Sequence, residues 1–334
     1  MKDLVKNITE IYSPSGREAN VRNFIIDEIK DYVDEIKTDR IGNLVAVKKG
    51  KNGKNLLIDA HMDEIGLVVT HYTENGFLKV DAVGGVNPAN LFGVRLQFNG
   101  RTGVAGLEGE TVSEMSQNSK NLSLDNLYID IGVNSKEEAE KLVPIGTFGT
   151  YDSKFTDNGD FWISKAMDDR VCCAAMIQAA KEIKDPENTM IFAFTVQEEV
   201  GLVGASVAAY DYDVDYAFAI DVTAAADTPK ANKRMQMKLG AGPCVKIKDA
   251  ASVSDIEVVN ILKETAKENK IPYQTEVLIY GGTNARAYQT TKNGIPSGTI
   301  SIATRYIHSP NETVSKADVL NTTELIKALA MKKW

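Results

Sequence analysis

The sequence predicts an α/β fold with a mixed sheet flanked by helices, into which a small β-rich domain is inserted. Segments with helical and strand-like patterns alternate at both ends of the 334-residue chain, whereas the stretch between them consists of short apolar runs separated by Gly, Asn and Asp. Helix–strand alternation is typical of a helix-covered sheet, and closely spaced short strands indicate a β module. We therefore expect residues 1–66 and 162–334 to form the α/β domain and residues 67–161 to form the inserted domain.

The first part of the chain predicts two helices and then two strands. An apolar face over residues 4–8 predicts the first helix. Ser15 and Glu18 have the spacing of a capping box, which predicts that a second helix begins there. The two strands are predicted at 41–47 and 56–59.

The β-rich block and the segment after it differ in helical content. Within the block, only residues 136–142 show a good helical pattern. Beyond the block, helical and strand-like segments alternate again. The predicted elements are a helix at 168–184, a strand at 190–196, a strand after Asp215 and a helix at 256–267.

Composition and charge exclude several classes of function. With 43% hydrophobic and 25% charged residues, the chain has the composition of an ordinary globular protein. Its net charge of −8 argues against a nucleic-acid partner, which requires a basic face. We find no apolar run long enough for a signal peptide or a membrane span, so we expect no membrane association. Cys172, Cys173 and Cys244 lack disulfide or C-x-x-C spacing, and we expect a cytoplasmic protein.

Two of the three histidines lie where functional sites collect in α/β folds. His61 follows an apolar strand, and His308 stands shortly after the apolar run 298–303. Loops at strand ends converge on a crevice in such folds. His71 lies within the β-rich block without an acidic neighbour, which favours a structural or solvated role.

Carboxylates gather at equivalent places. Asp168 opens a predicted helix, Glu198 and Glu199 follow a strand, and Asp221 ends another apolar run. Each of them alone could cap a helix or a turn, or lie in solvent. Several anions at the ends of buried strands are costly unless cations neutralise them. Together they predict a metal site, with the ligands His61, Asp168, Glu199, Asp221 and His308.

The residue types fit two divalent ions. Zinc and cobalt bind imidazole nitrogen and carboxylate oxygen, and manganese is compatible with the same ligands. A carboxylate that bridges two metals reduces their repulsion, and the pair can hold a shared water. An adjacent Glu-Glu pair can supply one ligand and one general base from a single strand end.

Five separate motifs contain the candidate residues and follow one another along the chain. They are AHMDEIG at 60–66, KAMDDRV at 165–171, QEEVGLVG at 197–204, IDVT at 220–223 and RYIHSP at 305–310. In this order they resemble the tetrahedral aminopeptidase family, whose dinuclear-metal peptidases are often labelled glutamyl aminopeptidase or endoglucanase. The similarity covers nearly the whole chain, from the Tyr12-Ser13-Pro14-Ser15-Gly16 segment onward.

The resemblance implies a role for each candidate residue. One metal would be held by His61, Asp168 and Asp221, and the other by Asp168, Glu199 and His308, with Asp168 as the bridge. Glu198 would be the general base, and Asp63 would orient His61. The peptide bond between Asp168 and Asp169 would be cis.

The resemblance also implies an architecture and a substrate class. The catalytic domain would have the zinc-peptidase-like α/β fold, and the insertion would be a small β-barrel-like oligomerisation domain. Dimers would assemble into a hollow tetrahedral dodecamer that admits short peptides, from which N-terminal residues are removed.

Some alternatives remain open at this level. The chain has Asn284 where relatives often carry Asp, which removes a charge near the expected substrate pocket or an interface. Deacylation of modified amino acids would use the same metal chemistry. Endoglucanase activity would need two carboxylates that flank a glycosidic bond, without a metal. A binding protein with a dead site would lack a ligand or Glu198, and all of these are present.

Overall fold

The computed structural model describes residues 1–109 and 111–334. The strands of this part of the chain are β1 (Glu35–Thr38), β2 (Leu44–Lys48), β3 (Asn55–His61), β4 (Gly66–Tyr72), β5 (Leu78–Val83), β6 (Arg95–Phe98), β7 (Arg101–Leu107), β8 (Leu127–Asp130), β9 (Phe148–Tyr151), β10 (Thr156–Asn158), β11 (Phe161–Ser164), β12 (Thr189–Thr195), β13 (Tyr216–Ala224), β14 (Cys244–Lys248), β15 (Gln274–Val277), β16 (Ser297–Arg305) and β17 (Glu312–Ser315). The α-helices are α1 (Lys2–Glu10), α2 (Ala19–Ile29), α3 (Val112–Asn118), α4 (Lys136–Leu142), α5 (Met167–Glu182), α6 (Ala205–Ala208), α7 (Ile256–Glu268), α8 (Ala285–Tyr288) and α9 (Lys316–Met331).

The large sheet is mixed, and its centre is parallel. The strand order is β1-β2-β12-β3-β13-β16-β17-β11-β10, with β14 also paired to β16 and β15 paired to β14. Strands β12, β3, β13 and β16 run parallel to one another. Because these four strands point the same way, their carboxyl ends meet at one edge of the sheet, where loops can converge.

Helices cover both faces of this sheet, as the near-continuous apolar sequence of its central strands requires. In β3, Leu56, Ile58 and Ala60 pack into the larger core with α1, α2, α5, α7 and α9. Leu57 faces the opposite side and packs with residues of α6 and α8. The alternation of β3 side chains thus places the strand between two apolar layers.

The second sheet is a closed barrel with the order β4-β5-β8-β7-β6-β9 and its own apolar core. The prediction of an α/β fold with an inserted β-barrel-like module is therefore confirmed. The domain bounds stay a prediction, and β10 pairs with β11 in the large sheet although its residues fall within 67–161. The block also holds α3 in addition to the predicted helix α4, so the expectation of a single helical stretch is wrong.

The predicted capping box at the start of α2 is wrong. Helix α2 begins at Ala19, and the N-cap residue before it, Glu18, makes no side-chain capping hydrogen bond. Ser15 Oγ instead donates to Asp63 Oδ2 at 2.5 Å, and Glu18 Oε1 accepts from the Gly16 and Gln197 amides. Tertiary contacts therefore use both side chains that the local pattern assigned to a cap.

Among the described residues, no helix combines the length and the apolar character that crossing a membrane requires.

Candidate metal centre

The carboxyl ends of the four parallel strands carry most of the predicted site residues. His61 is the last residue of β3, Glu198 and Glu199 follow β12, and Asp221 lies in the last half of β13. His308 follows β16. The structure therefore brings together residues that are up to 247 positions apart in the sequence, as the rule for parallel strand ends predicts.

Asp168 joins this edge from the start of α5. Its backbone angles are not helical, and the Asp168–Asp169 peptide bond is cis, as the resemblance implies. The Asp168 amide donates to Glu312 Oε2 at 3.0 Å. The Asp169 side chain turns away and accepts from the His61 amide at 3.2 Å.

The first group of potential ligands consists of His61, Asp168 and Asp221. One side-chain donor atom from each lies within 4.8 Å of the other two. His61 Nε2 is 3.1 Å from Asp168 Oδ1. All three residues are buried. This donor set of one imidazole and two carboxylates matches what zinc or cobalt binds.

The second group consists of Asp168, Glu199 and His308, with donor atoms again within 4.8 Å of one another. His308 Nε2 is 3.3 Å from both Asp168 Oδ2 and Glu199 Oε2. Asp168 therefore belongs to both groups, and its two carboxylate oxygens face different histidines. This is the arrangement that a carboxylate bridging two ions needs.

Both imidazoles are oriented through their other ring nitrogen. His61 Nδ1 lies 3.3 Å from Asp63 Oδ1 and 3.2 Å from the Asp63 carbonyl oxygen. His308 Nδ1 lies 2.9 Å from the Gly85 carbonyl oxygen. A proton on Nδ1 that is donated to these acceptors leaves Nε2 free to bind a metal, and metal-binding histidines usually have such a partner.

Glu198 lies beside both groups but belongs to neither. Its Oε2 is 3.9 Å from His61 Nε2, and its backbone amide donates to Asp63 Oδ1 at 3.0 Å. Burial raises the pKa of the Glu198 carboxyl well above its ordinary value. A carboxylate that is close to two candidate ligand groups without being part of either can accept a proton there.

The electrostatics of the cluster favour added positive charge. Burial, together with the charge of Asp168, raises the pKa of Asp221 to about 8 and also raises the pKa of Glu199. Burial lowers the pKa of His308, but hydrogen bonds to Asp168 and Glu199 outweigh it and raise the pKa to about 12. Protons on the imidazoles thus compensate the carboxylates. Divalent cations would replace those protons.

One buried oxygen of a candidate ligand provides a further test of the fit. Glu199 Oε1 is buried and has no hydrogen-bond partner within the part of the chain that the structure describes. A buried carboxylate oxygen without a donor is costly, and a bound cation would satisfy it. The residues present therefore fit two divalent ions.

The loops that carry the candidate ligands share a backbone feature. Ala166, Gln197, Tyr306 and His308 have positive φ values of 52°, 55°, 61° and 63°. Residues other than glycine rarely adopt this conformation, and they cluster at functional sites when they do. The sharp turns let each loop present its side chain back over the sheet edge.

Several supporting residues were missed at the sequence level. Glu312 is buried and accepts from the amides of Asp168 and His308, at 3.0 and 2.7 Å. Ser15 Oγ donates to Asp63, and the Gly85 carbonyl oxygen lies within hydrogen-bond distance of His308 Nδ1. The one local signal was the position of Glu312 four residues after His308, but a single acid after a proline turn does not distinguish support from solvation.

Two other residues lie away from the cluster. His71 is exposed and contacts Thr70 Oγ1 at 3.1 Å. Asn284 is buried beneath the sheet edge, where its amide nitrogen donates to Asp59 Oδ2 and Thr195 Oγ1 at 2.8 and 2.9 Å. These partners enclose the Asn284 side chain, which does not line the cavity over the cluster. Its effect on substrate choice stays a prediction.

A cavity of about 840 Å³ opens over the cluster. His61, Asp168, Glu198, Glu199 and Asp221 line one side of it, together with His308. This volume is typical of sites for small molecules or short peptides.

Comparisons with known proteins agree with this geometry. The M42 glutamyl aminopeptidase family matches residues 42–325. A protein of Acetivibrio thermocellus is 47% identical over 98% of this chain and 97% of its own length. The lysyl aminopeptidase of Pyrococcus furiosus is 35% identical over 98% of this chain and 96% of its own.

Solved structures give the same result. An aminopeptidase from the archaeon Desulfurococcus kamchatkensis superposes with a TM-score of 0.94 at 37% identity, covering 99% of this chain and 94% of its own. The Pyrococcus horikoshii TET1 peptidase, described as assembling into a tetrahedron or a large octahedral shell, gives 0.89 at 36% identity and covers 99% of both chains. The resemblance inferred from the five motifs is thereby confirmed. The chain belongs to the M42 glutamyl aminopeptidase family and is a metal-dependent hydrolase.

Proposed function

We propose that this protein is a dinuclear-metal aminopeptidase that removes N-terminal residues from short peptides. In this proposal one ion is held by His61, Asp168 and Asp221, and the other by Asp168, Glu199 and His308. The observation that carries it is Asp168, whose two oxygens face different histidines at 3.1 and 3.3 Å while Glu198 lies next to them. Zinc or cobalt is expected, and manganese is compatible.

Residues of the chain other than the candidate ligands would transfer protons and orient the reacting groups. The bound ions would activate a water molecule and polarise the scissile carbonyl. Glu198 would accept the proton of that water and pass it to the leaving amine, because it is close to the reacting atoms without being a ligand. Asp63 would keep His61 in the tautomer that leaves Nε2 free. The cavity walls would orient the peptide.

Substitution of Glu198 tests the assigned base. Glu198→Gln keeps the shape of the side chain but cannot accept a proton. We expect kcat to fall roughly 10²–10⁴-fold while the content of bound metal is unchanged. Metal content by elemental analysis and turnover of aminoacyl anilides are the two measurements. Near wild-type turnover would mean that another group is the base, and loss of metal would mean that Glu198 is a ligand.

A substrate panel separates this proposal from its alternatives. The protein would be assayed with aminoacyl anilides, N-acylated amino acids and a soluble cellulose derivative, before and after chelation and after readdition of cobalt or zinc. We expect anilide hydrolysis that chelation abolishes and metal restores. Hydrolysis confined to N-acylated amino acids would indicate a deacylase. Cleavage of cellulose that survives chelation would indicate a glycosidase.

We also propose that the chain assembles into a dodecamer built from dimers. Support comes from the similarity, over nearly the full length of both chains, to the Pyrococcus horikoshii TET1 peptidase and to a TET1 structure that is described as a dodecamer. Light scattering of the purified protein would report twelve times the 36.5-kDa mass of one chain. A mass of one or two chains at micromolar concentration would contradict the proposal.

A further inference from the structure

The part of the cavity beyond the carboxylate–histidine cluster is walled mainly by small and apolar side chains. From Asp221 the wall continues along β13 to Ala224, and Ala251, Leu278 and Gly282 close it from neighbouring loops. A substrate side chain that occupies this part of the cavity would contact the wall.

This wall is one side of a separate apolar core. Leu278 packs with Met235, Met237, Cys244 and Ala303, and Ala224 packs against the same group. Leu278 is only 6% exposed. The cavity therefore borders a buried apolar cluster on this side, and methionines in such a cluster can adapt to different aliphatic shapes.

Arg305 is the one charged side chain that lines the cavity outside the cluster, as far as the described residues go. Its guanidinium is engaged by Asp227, with Nε and Nη2 at 2.7 and 2.8 Å from the two carboxylate oxygens. Because this bidentate ion pair already neutralises the guanidinium, Arg305 does not offer an unpaired positive charge to a substrate carboxylate.

The charged side chains behind the wall also pair with one another. Lys246 and Glu276 are fully buried, with Lys246 Nζ 3.3 Å from Glu276 Oε1 and 3.4 Å from Asp249 Oδ2. Thr223 Oγ1, which belongs to the cavity wall, donates to Glu276 at 2.8 Å. Asp249 Oδ1 accepts from the Ala251 and Ser252 amides. Glu276 Oε2 has no hydrogen-bond partner among the described residues, but Lys246, Asp249 and Glu276 do not line the cavity. The charges behind the wall therefore pair with one another instead of facing the cavity.

We infer that this cavity selects peptides whose N-terminal side chain is uncharged and aliphatic, an inference that rests on the proposed aminopeptidase function. An acidic or basic side chain would lose its hydration against Ala224 and Leu278 without gaining an opposite charge, and such burial is unfavourable. An aliphatic side chain gains from the same transfer. The specificity thus differs from the glutamyl activity in the family's description.

The test compares leucyl, glutamyl and lysyl anilides with the full-length, metal-loaded enzyme. We expect kcat/KM to be at least roughly tenfold higher for the leucyl substrate than for either charged substrate. A glutamyl or lysyl preference would overturn this inference while the aminopeptidase proposal stands. If none of the anilides is cleaved, the aminopeptidase proposal fails and this inference fails with it.

Charge placed on the wall should change the preference in a predictable direction. Ala251 is exposed and lines the cavity, so long side chains can be introduced there without disturbing the core. We expect Ala251→Lys to raise the glutamyl-to-leucyl ratio of kcat/KM, and Ala251→Glu to raise the lysyl-to-leucyl ratio, each by roughly tenfold. Ala251→Gln is the uncharged control of similar length, and both ratios are compared with those of this variant. Equal ratios in all three variants would contradict the inference.

Discussion

Asp63 touches four groups of the site at once, although it is not a candidate ligand. Its Oδ1 faces His61 Nδ1 and accepts from the Glu198 amide, while its Oδ2 accepts from the Glu199 amide and from Ser15 Oγ. Burial opposes ionisation, but the interaction with His61 outweighs it and lowers the pKa of Asp63. One buried carboxylate thus fixes an imidazole and the backbone of the Glu-Glu pair together.

Asp63→Asn should weaken the first ion site without removing a ligand. The amide has one acceptor oxygen instead of two, so its NH2 group must face either His61 Nδ1 or the donors on the other side. We expect the affinity for the first ion to fall roughly 10–100-fold, as is typical for partners of metal-binding histidines. Competition titration with a chromophoric chelator measures it.

Ser15→Ala is the matched control for that substitution. It removes one of the hydrogen bonds to Asp63 but keeps the carboxylate intact. A smaller loss of metal affinity than in Asp63→Asn is expected, and equal affinity in wild type and Asp63→Asn would show that His61 does not depend on Asp63.

Single residues were predictable from the sequence only where the residue type was scarce or where several residues took equivalent positions after apolar runs. His61 and His308 stood out because the chain has three histidines and both follow apolar runs. Ser15 and Glu18 have the spacing of a capping box. In the fold, however, Ser15 hydrogen-bonds to Asp63 and Glu18 to the Gln197 amide, and local spacing cannot predict such long-range contacts. Glu312 had no distinguishing neighbour, because its two acceptor contacts are made with backbone amides.

At the level of elements, the parallel strand ends were predictable and the loops between them were not. Apolar runs that end in His61, Glu198 and Asp221 locate one edge of a sheet once the strands are taken as parallel. The order of the strands places β12 beside β3, and residues 195 and 61 in register. No sequence pattern predicts that the loop after β5 approaches His308, because this contact depends on how the barrel packs against the large sheet.

Gly85 in that loop allows His308 to take its position. A Cβ at residue 85 would lie 2.6 Å from the imidazole atoms Cε1 and Nδ1 of His308, and this overlap would push the ring away. We therefore expect Gly85→Ala to weaken binding of the second ion and to reduce kcat by roughly 10–100-fold. Metal stoichiometry and anilide turnover measure both effects.

Gly93→Ala serves as the control for backbone strain in the barrel. Gly93 has a φ of +77°, and a Cβ added to it would meet no atom within 4 Å, so alanine there is strained without contacting the site. It should lower thermal stability slightly and keep turnover. If Gly85→Ala behaves like Gly93→Ala, the contact with His308 is not needed for activity.

At the scale of the whole molecule, the barrel and the large sheet share the candidate site. His308 belongs to the large sheet's loops, yet its carbonyl oxygen accepts from Asn90 Nδ2 at 3.1 Å and from Tyr151 OH at 3.4 Å. The change from helix–strand alternation to closely spaced short apolar runs was enough to predict two modules with different folds. It did not predict that residues of the barrel complete the surroundings of a candidate ligand, because side-chain contacts between modules leave no periodic signal.

Removal of the metal ions should destabilise the whole chain. Without cations, burial and the charge of Asp168 disfavour ionisation of Asp221 and Glu199, and the buried Glu199 Oε1 has no hydrogen-bond partner among the described residues. An ion that binds the folded state at about 100 times its Kd contributes roughly 2.7 kcal/mol. We expect chelation to lower Tm by on the order of 5–10 °C, and readdition of zinc or cobalt to restore it, by differential scanning calorimetry. Asp168→Asn removes the ligand common to both groups and relieves the repulsion, so its Tm should change little with chelation. The same Tm for wild type with and without chelator would argue against both ion sites, because buried carboxylates that gain no stability from cations are not ligands.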